Sequence, residues 1–367
     1  MAAHFLPGLE LSQRFYSEAV LPILRRTLPA TPFSAARLGS GSEVLGFDTE
    51  RSTDHEWGPR LQIFLPEDEL EPRGKATWQA LSEQLPKSFG GWPTHFSAPD
   101  GGPIGHMADT EGPVNHRIAV TSIAEWFGSE LGFDPLGDIT TLDWLAAPTQ
   151  RLAESTGGAV FSDGLGTLAE ARRRLQWYPD DLWRYALACQ WQRISQEEAF
   201  VGRAGEVGDE LGSAVVAARL VREIIRLSFL LERRWAPYAK WLGSSFGTLR
   251  LSAVLAQPLQ DVLGATSWRD REAGLGAAYQ LLGQAQNELA VSEPVDPSVR
   301  PYHGRPFLVL HAERFAGALH RSIADPAVRG LPLLGTIDQV VDNTDVLASP
   351  VRTRLVLRAL MAGGATG

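Results

Sequence analysis

The sequence has almost no cysteine, no long apolar run and no excess of positive charge, and each lack removes a class of protein. A single cysteine, Cys189, excludes an intrachain disulfide framework and a cysteine-rich zinc site. It sits in the apolar helical run ALACQW and reads as core. The eight histidines show no HExxH or similar ligand spacing, so a zinc site is not expected. No apolar stretch approaches the length of a membrane span. The start, MAAHFLPGLELSQRF, lacks the basic residues and apolar core of a secretory signal. A cytoplasmic protein, away from membranes, is the expectation. The net charge of −9 lacks the basic footprint of a nucleic-acid binder. A small-molecule partner fits that balance better than tRNA or DNA.

What is present centres on residues 38–65, LGSGSEVLGFDTERSTDHEWGPRLQIFL. The apolar run PFSAARL leads into two small-residue pairs, Gly39-Ser40 and Gly41-Ser42. After a polar segment come Asp54-His55-Glu56, then Leu61–Leu65, which reads as a strand. Side chains at i and i+2 of a strand share a face. With Asp54 and Glu56 at the start of that strand, the spacing predicts two carboxylates aimed at one metal or a pair of metals. Mg²⁺ accepts a few carboxylate oxygens together with substrate phosphates. Glycine lets the backbone approach a phosphate closely, and backbone N–H groups in such a turn make an anion site. The plainer alternative is a solvated strand edge beside an ordinary turn.

In chain order, a helix is expected over 9–28, kinked at Pro22, and another over 76–85. Residues 86–115 are rich in Gly and Pro and read as a long loop. Strands are expected at 116–123 and 158–163, with helices between them. From about 166 helices dominate. The clearest carries Ala214, Ala217, Leu220, Val221, Ile224, Ile225 and Leu231 at helical spacing, with Ser228 the one polar break and Asp209 and Ser213 as start signals. Further helices are expected at about 247–263, 271–291 and 309–323, with a minor strand at 306–311. Most of the eleven tryptophans, such as Trp177, Trp183 and Trp191 in helices, read as core anchors.

The stretch resembles the signature of the polymerase-β-like nucleotidyltransferases. Gly41-Ser42 is followed after residues 43–53 by Asp54-x-Glu56, although the middle position, normally apolar, is His55. The wider GSGSEVLGFDTERSTDHEWGPR, with GDELGS and ERRWAPYAKW, is similar to a bacterial nucleotidyltransferase-like family of unassigned function. The resemblance implies an α+β fold, with a small mixed-sheet nucleotidyltransferase domain over 1–165 and a mainly helical domain over 166–367 forming the other wall of a cleft. It implies Mg²⁺ (or Mn²⁺) on Asp54 and Glu56, and an NTP whose triphosphate is held by Gly41 and Ser42, or by Ser40 in the alternative register. The nucleoside monophosphate would pass to a hydroxyl or amine of a small molecule. A third carboxylate is expected on a neighbouring strand, with Glu125 and Asp163 as candidates. The acidic stretch from Glu197 to Glu210 is another source of a general base. Lys240 is a candidate for the β- or γ-phosphate, its alternative being a surface lysine packed on Trp241. Arg60 and Arg203 are further candidates for phosphate or acceptor contacts. Two other functions share these residues: a non-catalytic nucleotide-binding or protein-interaction module, and a protein AMPylase.

Overall fold

A computed structural model describes residues 5–98 and 105–362. The chain forms two compact units. One takes the chain up to Ile139 and again Arg151–Gln176; the other takes Thr140–Gln150 and the chain from Trp177 onward. The first unit holds a small mixed sheet and the second is mainly helical, the α+β class expected.

Four strands build the sheet of the first unit: β1 (Ser34–Arg37), β2 (Arg60–Phe64), β3 (Arg117–Thr121) and β4 (Ala159–Asp163), in the order β3-β2-β1-β4. β1 is central and buried along its whole length. It runs antiparallel to both neighbours, whereas β2 and β3 are parallel. A parallel pair needs a crossover; the helix Glu67–Gln84 supplies it, extending well ahead of the predicted 76–85. The register fixes two ends. Ser34 pairs with Phe64 and with Asp163, and Phe64 pairs with Thr121. Arg37 pairs with Ala159 at the opposite end, where Arg60 pairs with Arg117. Between β1 and β4 the pairing skips Phe161, a bulge: Ala35 faces Ser162 and Ala36 faces Val160.

One sheet face is closed by apolar side chains, with Ala35, Leu61, Ile63 and Ile118 packed on Phe15, Leu24 and Leu81. The predicted 9–28 helix is broken into Gly8–Phe15, a π turn at Tyr16–Val20 and Leu21–Thr27. Pro22, with no N–H to donate, accounts for the break in the ladder. The Gly/Pro-rich stretch contains two short strand pairs, Ser88–Phe89 with Trp92–Pro93 and His95–Ser97 with His106–Ala108.

In the second unit the predicted long helix spans Glu210–Leu231. Asp209 caps it, accepting the Gly212 N–H at 2.7 Å; Ser213 instead lies inside the helix, buried. Ala217, Leu220, Ile224 and Leu231 are buried, and Ser228 bonds back to the Ile224 carbonyl at 2.9 Å, which satisfies the one polar group in the stripe. Trp183 and Trp191 are fully buried, the latter stacked on Phe315 at 4.7 Å. Cys189 is core, and burial pushes its thiol up. The minor strand is Leu308–Val309, paired with Arg300–Pro301. Among the described residues no helix is long and apolar enough to cross a membrane.

Glu198 follows the helix Asp180–Glu197 and turns inward, accepting the N–H groups of Leu310 (2.7 Å) and Ala312 (2.9 Å). Burial raises its carboxyl to about 7, against those two bonds. The folded chain therefore keeps a proton that the unfolded chain, at about 4.3, has already released. Stability contributed here falls as pH rises from about 4.3 to about 7 and is level above that. We expect the thermal midpoint of the second unit to be lower at pH 8 than at pH 5, and Glu198→Gln to narrow the difference. An unchanged difference in the variant would remove Glu198 as its source.

Candidate functional site

The Gly-Ser segment leaves β1 at the end where Arg37, Arg60 and Arg117 sit. Leu38 is fixed to β2 by a reciprocal pair of bonds with the Gln62 amide, at 2.9 and 3.0 Å. Gly39 is at φ +80° and donates its N–H to the Glu154 carbonyl at 3.0 Å. Gly41 is at φ +148°, and a Cβ there would lie 2.5 Å from Glu43 Oε2 and 2.6 Å from the Nη2 atoms of Arg37 and Arg60. The glycine is required both by its backbone angle and by what lies directly beneath it.

Beneath the loop lie two buried guanidiniums joined by one buried carboxylate. Glu43 Oε1 accepts from Arg37 Nε (2.9 Å) and Nη2 (2.7 Å), and from Arg60 Nε (3.1 Å) and Nη2 (2.7 Å). Glu43 is 2% exposed, Arg37 3% and Arg60 8%. Burial by itself would raise the Glu43 carboxyl, but Arg37 and Arg60 outweigh it and hold the group below the usual carboxylate range. Burial, aided by the nearby Arg60, pulls Arg37 down to about 10. The same guanidiniums reach up into the loop. Arg37 donates to the carbonyls of Leu38 and Ser40, and Arg60 to that of Ser40 at 3.3 Å. Among the described residues, the N–H groups of Ser40, Gly41 and Ser42 have no protein acceptor.

Arg60 also links the loop to the acids, since its Nη1 lies 3.6 Å from Glu56 Oε2. Glu56 and Asp54 are at the expected end of β2, but not on the strand. Residues Glu50–Asp54 form a 3₁₀ turn, closed by a capping box between Thr49 and Ser52. Glu56 stands at φ +45° and β2 begins only at Arg60. The argument from i, i+2 spacing on a strand therefore fails here. Glu56 Oε1 accepts from Arg117 Nη2 (2.7 Å) and from the Gly105 N–H (2.6 Å). Asp54 faces solvent, 63% exposed, with His55 Nδ1 2.9 Å from its Oδ1. The His106 ring approaches the Asp54 carbonyl at 3.0 Å.

Two of the predicted acids lie at the other end of the first unit's sheet. Glu125 follows the far end of β3, where it takes the Thr121 hydroxyl at 2.9 Å and sits in the first turn of the helix Ile123–Leu131. Asp163 ends β4 at that same far end, bonded to Ser34 Oγ at 2.6 Å and to the N–H groups of Gly166 and Ala169. Four strand residues separate the ends, roughly 13 Å. Neither acid joins Asp54 and Glu56, and both serve local caps. In the second unit, the Lys240 ammonium lies 4.9 Å over the Trp241 ring and Arg203 lies over Phe200 at 5.5 Å. Sequence reasoning missed Arg37, Glu43 and Arg117. The available signal was an arginine ending one apolar strand run and another opening the next, with one acid in the loop between.

Three comparisons bear on this chain. Residues 144–242 match a family described as a domain of unknown function, DUF4037. No curated protein matches. A solved structure, the nucleotidyltransferase-like protein from Exiguobacterium sibiricum, aligns over 88% of this chain and 91% of its own at 11% identity, with a TM-score of 0.30. It names the same kind of protein as the sequence resemblance, and at that score it carries no argument about the site.

Proposed function

We propose that the loop end of the sheet binds the polyphosphate of a nucleoside triphosphate, which makes this chain a nucleotide-binding protein of the nucleotidyltransferase type. The observation that carries the reading is the loop over its arginine pair. Arg37 and Arg60 engage the loop carbonyls, and three successive N–H groups, of Ser40, Gly41 and Ser42, are left without protein acceptors among the described residues. Successive unpaired backbone donors above buried positive charge are a phosphate site. Arg117, 39% exposed on its side chain, adds a cation at the rim.

A second reading is transfer of the nucleoside monophosphate to a hydroxyl or amine of a small molecule, with Mg²⁺ or Mn²⁺. The observation favouring it is that two carboxylates, Asp54 and Glu56, share this end with 63% and 35% of their side chains exposed. Calorimetric titration with ATP and GTP, and pyrophosphate release over an acceptor library, separate the two. Saturable binding is expected. Gly41→Ala should weaken it by about tenfold or more, the scale of one charge-assisted hydrogen bond. Asp54→Asn should leave affinity nearly unchanged. Absence of nucleotide binding by the wild type would end the reading. Pyrophosphate release cut by about 10²–10³ in Asp54→Asn would establish transfer instead.

A further inference from the structure

Among the described residues, those at the loop end do not form a divalent-metal site. Glu56 is flanked by cations on both sides: Oε1 accepts from Arg117 and the Gly105 N–H, and Oε2 lies 3.6 Å from Arg60 Nη1. The Glu56 N–H also donates to the Gly105 carbonyl at 3.0 Å, so backbone and side chain are held by the same partner. Glu43 is enclosed between two guanidiniums. The acids Glu125 and Asp163 belong to the other end of the sheet. Among the described residues no group of three or more His, Cys, Asp or Glu is placed to hold a metal. One exposed aspartate, with no phosphate oxygens beside it, is too few donors to hold a resident Mg²⁺, and a cation drawn to Glu56 would meet two guanidiniums.

We infer that Arg117 occupies the place on the neighbouring strand where a metal-holding carboxylate would act, so that arginines, not a resident divalent ion, neutralise the polyphosphate. Arg117 is the residue across from Arg60 in the parallel pair, and its guanidinium lies 2.7 Å from Glu56. Its Nη2 also fills the space that a Cβ on Gly105 would need, which ties the loop entering this end to the arginine. The positive charge needed to hold phosphate oxygens is thereby built into the chain. The polyphosphate half of this inference rests on the function proposed above; the metal half does not.

The test uses the full-length chain and Mn²⁺ alone, followed by the electron paramagnetic resonance of the free ion. Wild type is expected to show no saturable site tighter than about 1 mM, the weak end of carboxylate cation sites. Arg117→Asp, which removes one of the two guanidiniums on Glu56 and adds a carboxylate beside it, should bind Mn²⁺ at least about tenfold more tightly, and adding Glu56→Gln should abolish the gain. Should Arg117→Asp fail to fold, Arg117→Gln removes the same guanidinium without a new charge and should still tighten Mn²⁺ binding. A submillimolar Mn²⁺ site in the wild type that Glu56→Gln removes would overturn the inference. In a second arm, ATP affinity in EDTA and in Mg²⁺ should agree within about threefold, a difference smaller than one charge-assisted bond. ATP binding abolished by EDTA would likewise overturn it. If the wild type binds no ATP in either buffer, the proposed function falls while the Mn²⁺ titration still decides the role of Arg117.

Discussion

Replacing Glu43 with alanine is expected to destabilise the first unit by about 3–5 kcal/mol. A single carboxylate oxygen accepts four N–H bonds from Arg37 and Arg60, and all three side chains are almost fully enclosed. Its removal leaves two like charges buried side by side, Arg37 without its ion-pair partner and Arg60 with only the looser pairing to Glu56 at 3.6 Å. Glu43→Gln keeps the accepting oxygen but loses the charge, and should fall between alanine and wild type. Simultaneous Arg37→Met, Glu43→Leu and Arg60→Met should cost less than Glu43→Ala alone, because no unpaired charge remains. Acid should have a related effect. Glu43 is held below the usual carboxylate range, so its stabilisation is complete above about 4.3 and is lost as pH falls through the folded value. Urea unfolding of the variants at pH 7, and of the wild type from pH 7 down to about pH 2.5, measures both. A loss under about 1 kcal/mol for Glu43→Ala would place this triad in a class with surface ion pairs.

Gly158→Ala is expected to cost about 3 kcal/mol, from two sources of about 1–3 kcal/mol each. Gly158 immediately precedes β4 and stands at φ +64°, a conformation that residues other than glycine adopt at a cost. Its N–H donates to the Val44 carbonyl at 2.8 Å, and a Cβ would collide with the carbonyl of Arg37. That carbonyl belongs to the last residue of β1, two positions before the Gly-Ser segment. The substitution should therefore lower stability and nucleotide affinity together. Gly166→Ala, also at positive φ but with open space around its Cβ, isolates the backbone contribution. Equal losses for the two variants would show that the Arg37 contact is immaterial.

Much of the fold was legible because periodicity reports it. Leu61–Leu65 and the 116–123 and 158–163 runs are apolar enough to read as strands, and each is one, within a residue or two at its ends. The 3.6-residue stripe of Glu210–Leu231 is equally plain, down to its Asp209 cap. The position of the acids was not legible. Thr49 and Ser52 close a 3₁₀ turn through Asp54, and Glu56 is held at positive φ by Gly105, forty-nine residues away in the chain. A spacing rule for strands cannot anticipate a tertiary bond of that kind. The third-acid candidates failed for a topological reason. β3 runs parallel to β2, so the residue that follows β3 emerges at the end opposite Glu56. Strand direction is absent from local spacing. Arg37 and Arg60 gave a weak signal, since a charge at the end of an apolar strand demands a partner, but nothing local named Glu43 as that partner.

The skipped residue between β1 and β4 has a bearing on the behaviour of the protein at high concentration. β4 is an edge, and an edge of flat, hydrogen-bonding backbone invites a second molecule to extend the sheet. Phe161 interrupts the ladder at its middle and stacks on Tyr16 at 5.7 Å, which anchors the bend to the body of the unit. The strand then ends in Asp163, whose carboxylate is occupied with its own turn. Only two short stretches of backbone on either side of the bulge remain in register, too few to template another strand. A single additional residue thus guards this edge of the sheet against growing by self-association.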